Sequence, residues 1–156
     1  HSHVLPPKER TKIGALNVAY KLLSKAAIRL RKQNMMVRRL TFSVKYINGD
    51  RLYEEFQFHE TQDTGLLLKV IRQLYLKAPN ERPVKVSVTL SELISDQEHQ
   101  MSFFNDDRRN VLFKTVDKIN AKHGRDTVYA GSLHGQQKRA PTRIAFSRIP
   151  GLDEVD

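Results

Sequence analysis

Apolar and polar positions alternate with a period of two in several stretches of this chain and recur at three- and four-residue spacing in others. From Val37 to Ile47 the alternation is strict. Leu40, Phe42, Val44 and Tyr46 fall on one side of a strand, and Arg39, Thr41, Ser43 and Lys45 on the other. Asn48-Gly49-Asp50 is a hairpin turn signal. The return strand, Arg51 to about His59, sets Leu52, Glu54, Phe56 and Phe58 against Tyr53, Glu55 and Gln57. A third alternation points Val84, Val86, Val88 and Leu90 inward and Lys85, Ser87 and Thr89 outward. Near the start, Ser2-His3-Val4-Leu5 is a short β-like stretch stopped by Pro6-Pro7, which cannot donate to a ladder.

Two helical patterns separate these strands. Thr11 is placed to cap a long helix running to about Gln33, with Leu16, Tyr20, Leu23, Ala27 and Leu30 on its buried face. Lys21, Lys25, Arg29 and Lys32 line up on another face, ordinarily a solvated helix surface. Asp63-Thr64 opens a second helix that buries Leu66, Leu67, Val70, Ile71, Leu74 and Tyr75 and ends before Pro79. The predicted fold class is α+β, in the order β-α-β-β-α-β: a split-βαβ sheet with two helices on one face and the other face open.

This sheet domain is expected over residues 1–96, followed by a linker over 97–105 and a tail over 106–156. In the tail, Asn105 or Asp106 can cap a helix from about Arg108 to His123, with Leu112, Val116 and Ile119 on one stripe and Gly124 as its stop. Thr127–Ala130 reads as a short strand, Gly131–Ala140 as a loop and Thr142–Phe146 as weakly extended.

Charge changes the picture most. The chain carries 27 Lys and Arg against 17 Asp and Glu, a formal net charge of +10. Residues 1–48 hold eleven of the cations against Glu9 alone, whereas the remainder balances. Such asymmetry favours a polyanionic partner, nucleic acid or an anionic membrane. No apolar run is long enough to span a bilayer, and cysteine is absent, which excludes disulfides, thiol catalysis and cysteine-ligated zinc. The expected location is cytoplasmic.

Catalytic signatures are missing. Metal-dependent nucleotidyl transfer needs carboxylates that hold ions about 4 Å apart, but Glu54-Glu55 and Asp106-Asp107 are adjacent pairs whose side chains diverge or cap a helix. The histidines lack ligand spacing, and there is no phosphate-cradling glycine loop. No cofactor is expected and no enzyme activity of the chain itself. It opens on His1, mid-pattern, and reads as a piece excised from a longer protein.

The outer positions of the Val37–Ile47 and Val84–Leu90 strands carry Lys, Arg, Ser and Thr and no carboxylate. Such a face neutralises phosphates and donates to their oxygens without reading bases. Single-strand binders stack bases on exposed aromatics, and here Tyr53 alone is available.

HSHVLPPKERT, the basic helix, VRRLTFSVKYINGD and RPVKVSVTLSEL together resemble the little-finger (C-terminal, ImpB/MucB/SamB) domain of bacterial Y-family translesion DNA polymerases over about residues 1–96. The helix RRNVLFKTVDKINAKHGRDTVYAGS and the closing APTRIAFSRIP are similar to C-terminal extensions of bacterial members. The resemblance implies a grip on double-stranded primer–template DNA beside an N-terminal catalytic core of the same chain, a core that would need Mg. Carried over residue by residue, the implied DNA contacts are Arg38, Arg39, Thr41, Ser43, Lys45, Lys85, Ser87 and Thr89. Glu54-Glu55 departs from the family's pattern, and on that strand Gln57 alone is a further contact. Gln100-Met101-Ser102-Phe103-Phe104 resembles the sliding-clamp-binding pentapeptide, with Met and Phe in place of the usual leucines. A glutamine amide would fix the backbone while Met and Phe fill an apolar pocket; alternatively, Phe103 and Phe104 pack the third helix. Two rival readings are a protein-interaction or recruitment module of a catalytically inactive Y-family homologue and a ferredoxin-like RNA binder.

Overall fold

The computed structural model describes residues 1–95, 107–124 and 126–131. Strands β1 (Ser2–Val4), β2 (Met35–Tyr46), β3 (Arg51–Thr61) and β4 (Pro83–Ser95) alternate with helices α1 (Lys12–Lys32) and α2 (Thr64–Leu76); α3 (Asp107–His123) follows. The α+β order expected from the pattern is the order found. All neighbours in the sheet are antiparallel, in the order β1-β4-β2-β3. Each βαβ unit is therefore split: β1 and β2 lie either side of β4, and β3 and β4 either side of β2.

Local chemistry sets the boundaries. The Thr11 hydroxyl accepts the Gly14 N–H at 3.0 Å to cap α1. Gly14 must be glycine, because a Cβ there would run into the Glu9 carbonyl of the preceding 3-10 turn. Asp63 caps α2 by accepting the Gly65 N–H at 2.7 Å. The β2–β3 hairpin turns through Ile47-Asn48-Gly49: Gly49 donates to the Tyr46 carbonyl and has φ +95°, the three-residue loop closed by a left-handed glycine. That turn sets Lys45 opposite Arg51.

The core lies between one sheet face and the two helices. Leu40, Phe42 and Val44 of β2, Val86 and Val88 of β4, Val18, Leu23 and Ala27 of α1, and Leu67 and Ile71 of α2 are all fully buried. Tyr75 meets Phe42 edge-on, ring centroids 5.7 Å apart. Burial pushes the Tyr75 phenol well above its usual range.

Several expectations about the helices and the turn after α3 are corrected. Leu66 is exposed rather than on the buried face of α2. Lys21, read as part of a solvated row, is buried and bonds Asp126 at 2.8 Å. Thr127–Ala130, read as a strand, is instead a turn that folds back on α3. There the Asn120 amide bonds both the N–H and the carbonyl of Val128, each at 2.8 Å. The left-handed Gly124, φ +103°, ends α3 as expected. On the helix, Leu112 is exposed, so the stripe read through it is not the covered one; Phe113, Val116 and Ile119 are half-buried.

Arg31, which the pattern did not single out, joins α1, α2 and α3. Its guanidinium donates to both Asp117 carboxylate oxygens, at 2.6 and 3.0 Å, to Thr64 Oγ1 at 2.7 Å and to the Gln62 carbonyl at 3.2 Å. It also lies 5.5 Å from the centroid of the Phe113 ring. The residues over 96–106 and 132–156, which include the expected linker, the α3 cap and the Thr142–Phe146 segment, lie outside the described residues.

Removing one partner of a buried pair strands the other charge. Arg31→Ala is therefore expected to lower unfolding free energy by about 3 kcal/mol, read by urea denaturation; a change under about 0.5 kcal/mol, the usual range for surface sites, would refute the joining role.

Candidate nucleic-acid interface

The face of the sheet away from α1 and α2 is built from the outward positions of all four strands. Because register is antiparallel throughout, those positions fall into rows that run across the strands. The first row is the exposed Val4 on β1, Lys85 on β4, Lys45 on β2 and Arg51 on β3. The second is Ser2, Ser87, Ser43 and Tyr53. The third is Thr89, Thr41 and Glu55, and the fourth Ser91, Arg39 and Gln57. One end of the face thus carries three cations side by side, and the middle carries hydroxyls.

Seven of the eight residues expected to contact DNA are brought together here: Arg39, Thr41, Ser43, Lys45, Lys85, Ser87 and Thr89. Arg38 is not. It follows the parity of Leu40 rather than that of Arg39, and its guanidinium bonds Glu60 at 2.6 Å. The expected clamp-binding residues, Gln100, Met101, Ser102, Phe103 and Phe104, lie outside the described residues. Arg51 and Ser2 are members the sequence reading missed. The side Arg51 faces was legible, since it alternates with Tyr53, Glu55 and Gln57, but its place opposite Lys45 follows from the three-residue loop. Ser2 depends on β1 pairing with β4, 85 positions along the chain, and no local signal announces that.

Over Val37–Ile47 and Val84–Leu90 the outward positions hold no carboxylate, as the alternation implied, but the second strand does not end there. β4 runs five residues past Leu90, and Glu92 within it has φ +54°. Plain alternation would send Glu92 to the side of Leu90 and Val88. Its carboxylate instead lies 2.6 Å from Arg39 Nη2. Glu55 approaches the same guanidinium at 3.8 Å. Arg39 is therefore flanked by two acids, whereas among the described residues Lys45, Lys85 and Arg51 have none.

Glu55 is held in place from several directions. It accepts the Tyr53 hydroxyl at 2.6 Å and the Thr41 hydroxyl at 3.3 Å. The Tyr53 bond, and after it the charge of Arg39, hold its carboxyl below the usual range, and the same bond pushes the Tyr53 phenol up. Among the described residues no three His, Asp or Glu gather to hold a metal ion, and no helix is long and apolar enough to cross a membrane.

A family model, the impB/mucB/samB family C-terminal domain, matches residues 1–103. The chain belongs to that family. The family is part of the DNA polymerase Y-family, and the match spans the whole four-stranded sheet. A solved structure described as "Complex of beta-clamp processivity factor and little finger domain of PolIV" is similar in fold. The TM-score is 0.50 at 12% sequence identity, over 67% of this chain and 96% of that one. No curated protein matches. The resemblance drawn from the sequence to the little-finger domain is thus the family found.

Loss of the Tyr53 hydroxyl removes the largest influence lowering the Glu55 carboxyl. In Tyr53→Phe, Glu55 is expected to titrate at higher pH than in the parent chain, read from its carboxyl carbon by NMR. An unchanged midpoint would mean that the bond is not formed in solution.

Proposed function

We propose that this chain grips template–primer DNA by its phosphate backbone on the open sheet face, as the little-finger part of a translesion polymerase. The row Lys85–Lys45–Arg51 carries the reading. Like charges directly opposite one another on neighbouring strands destabilise a sheet, and here no acid offsets them among the described residues. A polyanion laid across the strands relieves that repulsion and releases its counterions. The neighbouring row of Ser87, Ser43 and Ser2 supports the same reading, because short hydroxyls let a backbone approach closely and donate to phosphate oxygens. The rows contain no base-reading pattern, so the grip is independent of sequence.

An RNA- or single-strand-binding role has less support. Tyr53 is the aromatic residue of these rows, and its hydroxyl is bound to Glu55. In this reading the Mg-dependent chemistry belongs to a catalytic core elsewhere in the same cytoplasmic polymerase. A second activity is tethering to the sliding clamp through Gln100–Phe104. The similar PolIV little finger, described as a complex with the clamp, supports it, as does the pentapeptide itself. A recruitment module of an inactive homologue would use the clamp contact without the DNA grip.

Lys45→Glu and Lys85→Glu are each expected to weaken binding of a short DNA duplex and to flatten its logarithmic salt dependence by about one unit or more. Lys77→Glu, on a lysine already paired with Glu54 at 2.9 Å, should cost much less. Equal losses at all three would leave only diffuse electrostatics, and clamp capture without duplex binding would favour the recruitment module. For the tether, Phe103→Ala with Phe104→Ala should abolish clamp capture and spare duplex binding.

A further inference from the structure

Arg39 stands on the proposed DNA face, yet among the described residues it is the one cation of the rows that meets an acid. The means are unusual. Glu92 reaches it from a strand position that should face the core, through a left-handed backbone, φ +54°, that a non-glycine residue adopts only at a cost in free energy. Such strain persists only where the surrounding structure enforces it, and here its visible result is one 2.6 Å ion pair. Glu55 stands on the other side of the same guanidinium, fixed by Tyr53 and Thr41. The pairing is incomplete as well: Arg39 Nε is buried and among the described residues has no hydrogen-bond partner.

We propose that Glu92, assisted by Glu55, is an internal counterion that occupies Arg39 in the free protein and yields it to a phosphate when duplex DNA is bound. The proposal rests on the reading of the open face as a phosphate-binding surface and adds a device that restrains it. Glu92 and Arg39 are both partly exposed, at 45% and 33% of the side chain, and exposed ion pairs are weak enough for a phosphate to compete. A guanidinium also presents a fork that suits phosphate as well as carboxylate. The face therefore works in two parts. The Lys85–Lys45–Arg51 row is free to attract a phosphate backbone at any time. Arg39, two rows of hydroxyls away, joins only when a phosphate displaces the carboxylate. This keeps the grip looser than the number of cations allows.

The test is duplex binding by the full 156-residue chain across a range of salt. Glu92→Gln preserves shape and removes the charge. Glu92→Gly also removes it and accepts the left-handed backbone without strain, so one variant guards against misfolding of the other. Both should bind a short DNA duplex more tightly than the parent. That gain should be larger at 50 mM salt than at 200 mM, because salt screens the carboxylate that the parent has to displace. The deciding arm is the cycle with Arg39→Ala. In that background the Glu92 substitutions should give no gain, because no cation remains to be released. An equal gain with and without Arg39 would mean general repulsion by the carboxylate and would overturn the proposal. So would the absence of any gain while Lys45→Glu still loses binding, a result that leaves the DNA-binding reading intact. If neither parent nor variant bound duplex, both would fall.

Discussion

The antiparallel register of β2 against β4 is the constraint on which the other features depend. It runs from Met35 opposite Ser95 to Lys45 opposite Lys85, and the side-chain period of two divides most residues along it between core and open face. A slip of one residue would carry Phe42 and Val44 into solvent and Ser43 and Lys45 into the core. Burial of the apolar set therefore holds the polar set in line. The cost of bringing Lys45 beside Lys85 is met by hydrophobic burial on the opposite side of the same two strands, through Val44 and Val86, both fully buried. The β2–β3 turn then extends the row to Arg51.

The basic balance of the chain overstates what the open face can offer. Many of the cations crowded into residues 1–48 are engaged within the protein. Arg31 bonds Asp117, Lys21 bonds Asp126, Arg38 bonds Glu60, and Arg39 bonds Glu92 and Glu55. Arg10 and Lys12 donate to the Leu5 and Ala78 carbonyls. Lys21 and Arg31 of α1 thus meet acids on α3 and the turn after it, far along the chain. What remains on the open face is a short, ordered row rather than a broad positive field. That difference matters physically: strand pairing fixes where the charges of a row stand relative to one another, which a diffuse field does not.

The elements were legible from the sequence where a period, a cap and a turn agreed. Strict alternation marked β2 and β4, Thr11 and Asp63 marked the helix starts, and Asn48-Gly49 marked the hairpin and with it the approximate pairing of β3. Each is a local signal, set by steric preferences and hydrogen bonds within a few residues. The same signals led to the correct order of elements and placed Thr41, Ser43, Lys45, Lys85, Ser87 and Thr89 on one side of their strands.

By itself, then, the sequence determined which residues alternate, which helices form and which side of each strand is polar, because those properties depend on neighbours a few positions apart. Only the tertiary structure decided what each charge meets. That Arg31 is buried against Asp117, that β1 adds Ser2 beside Ser87, and that a left-handed turn at Glu92 brings a carboxylate to Arg39 all arise between residues distant in the chain. A period of two cannot register one residue that leaves the alternation, and no local pattern records which opposite charge will be within 3 Å once the sheet and helices have packed.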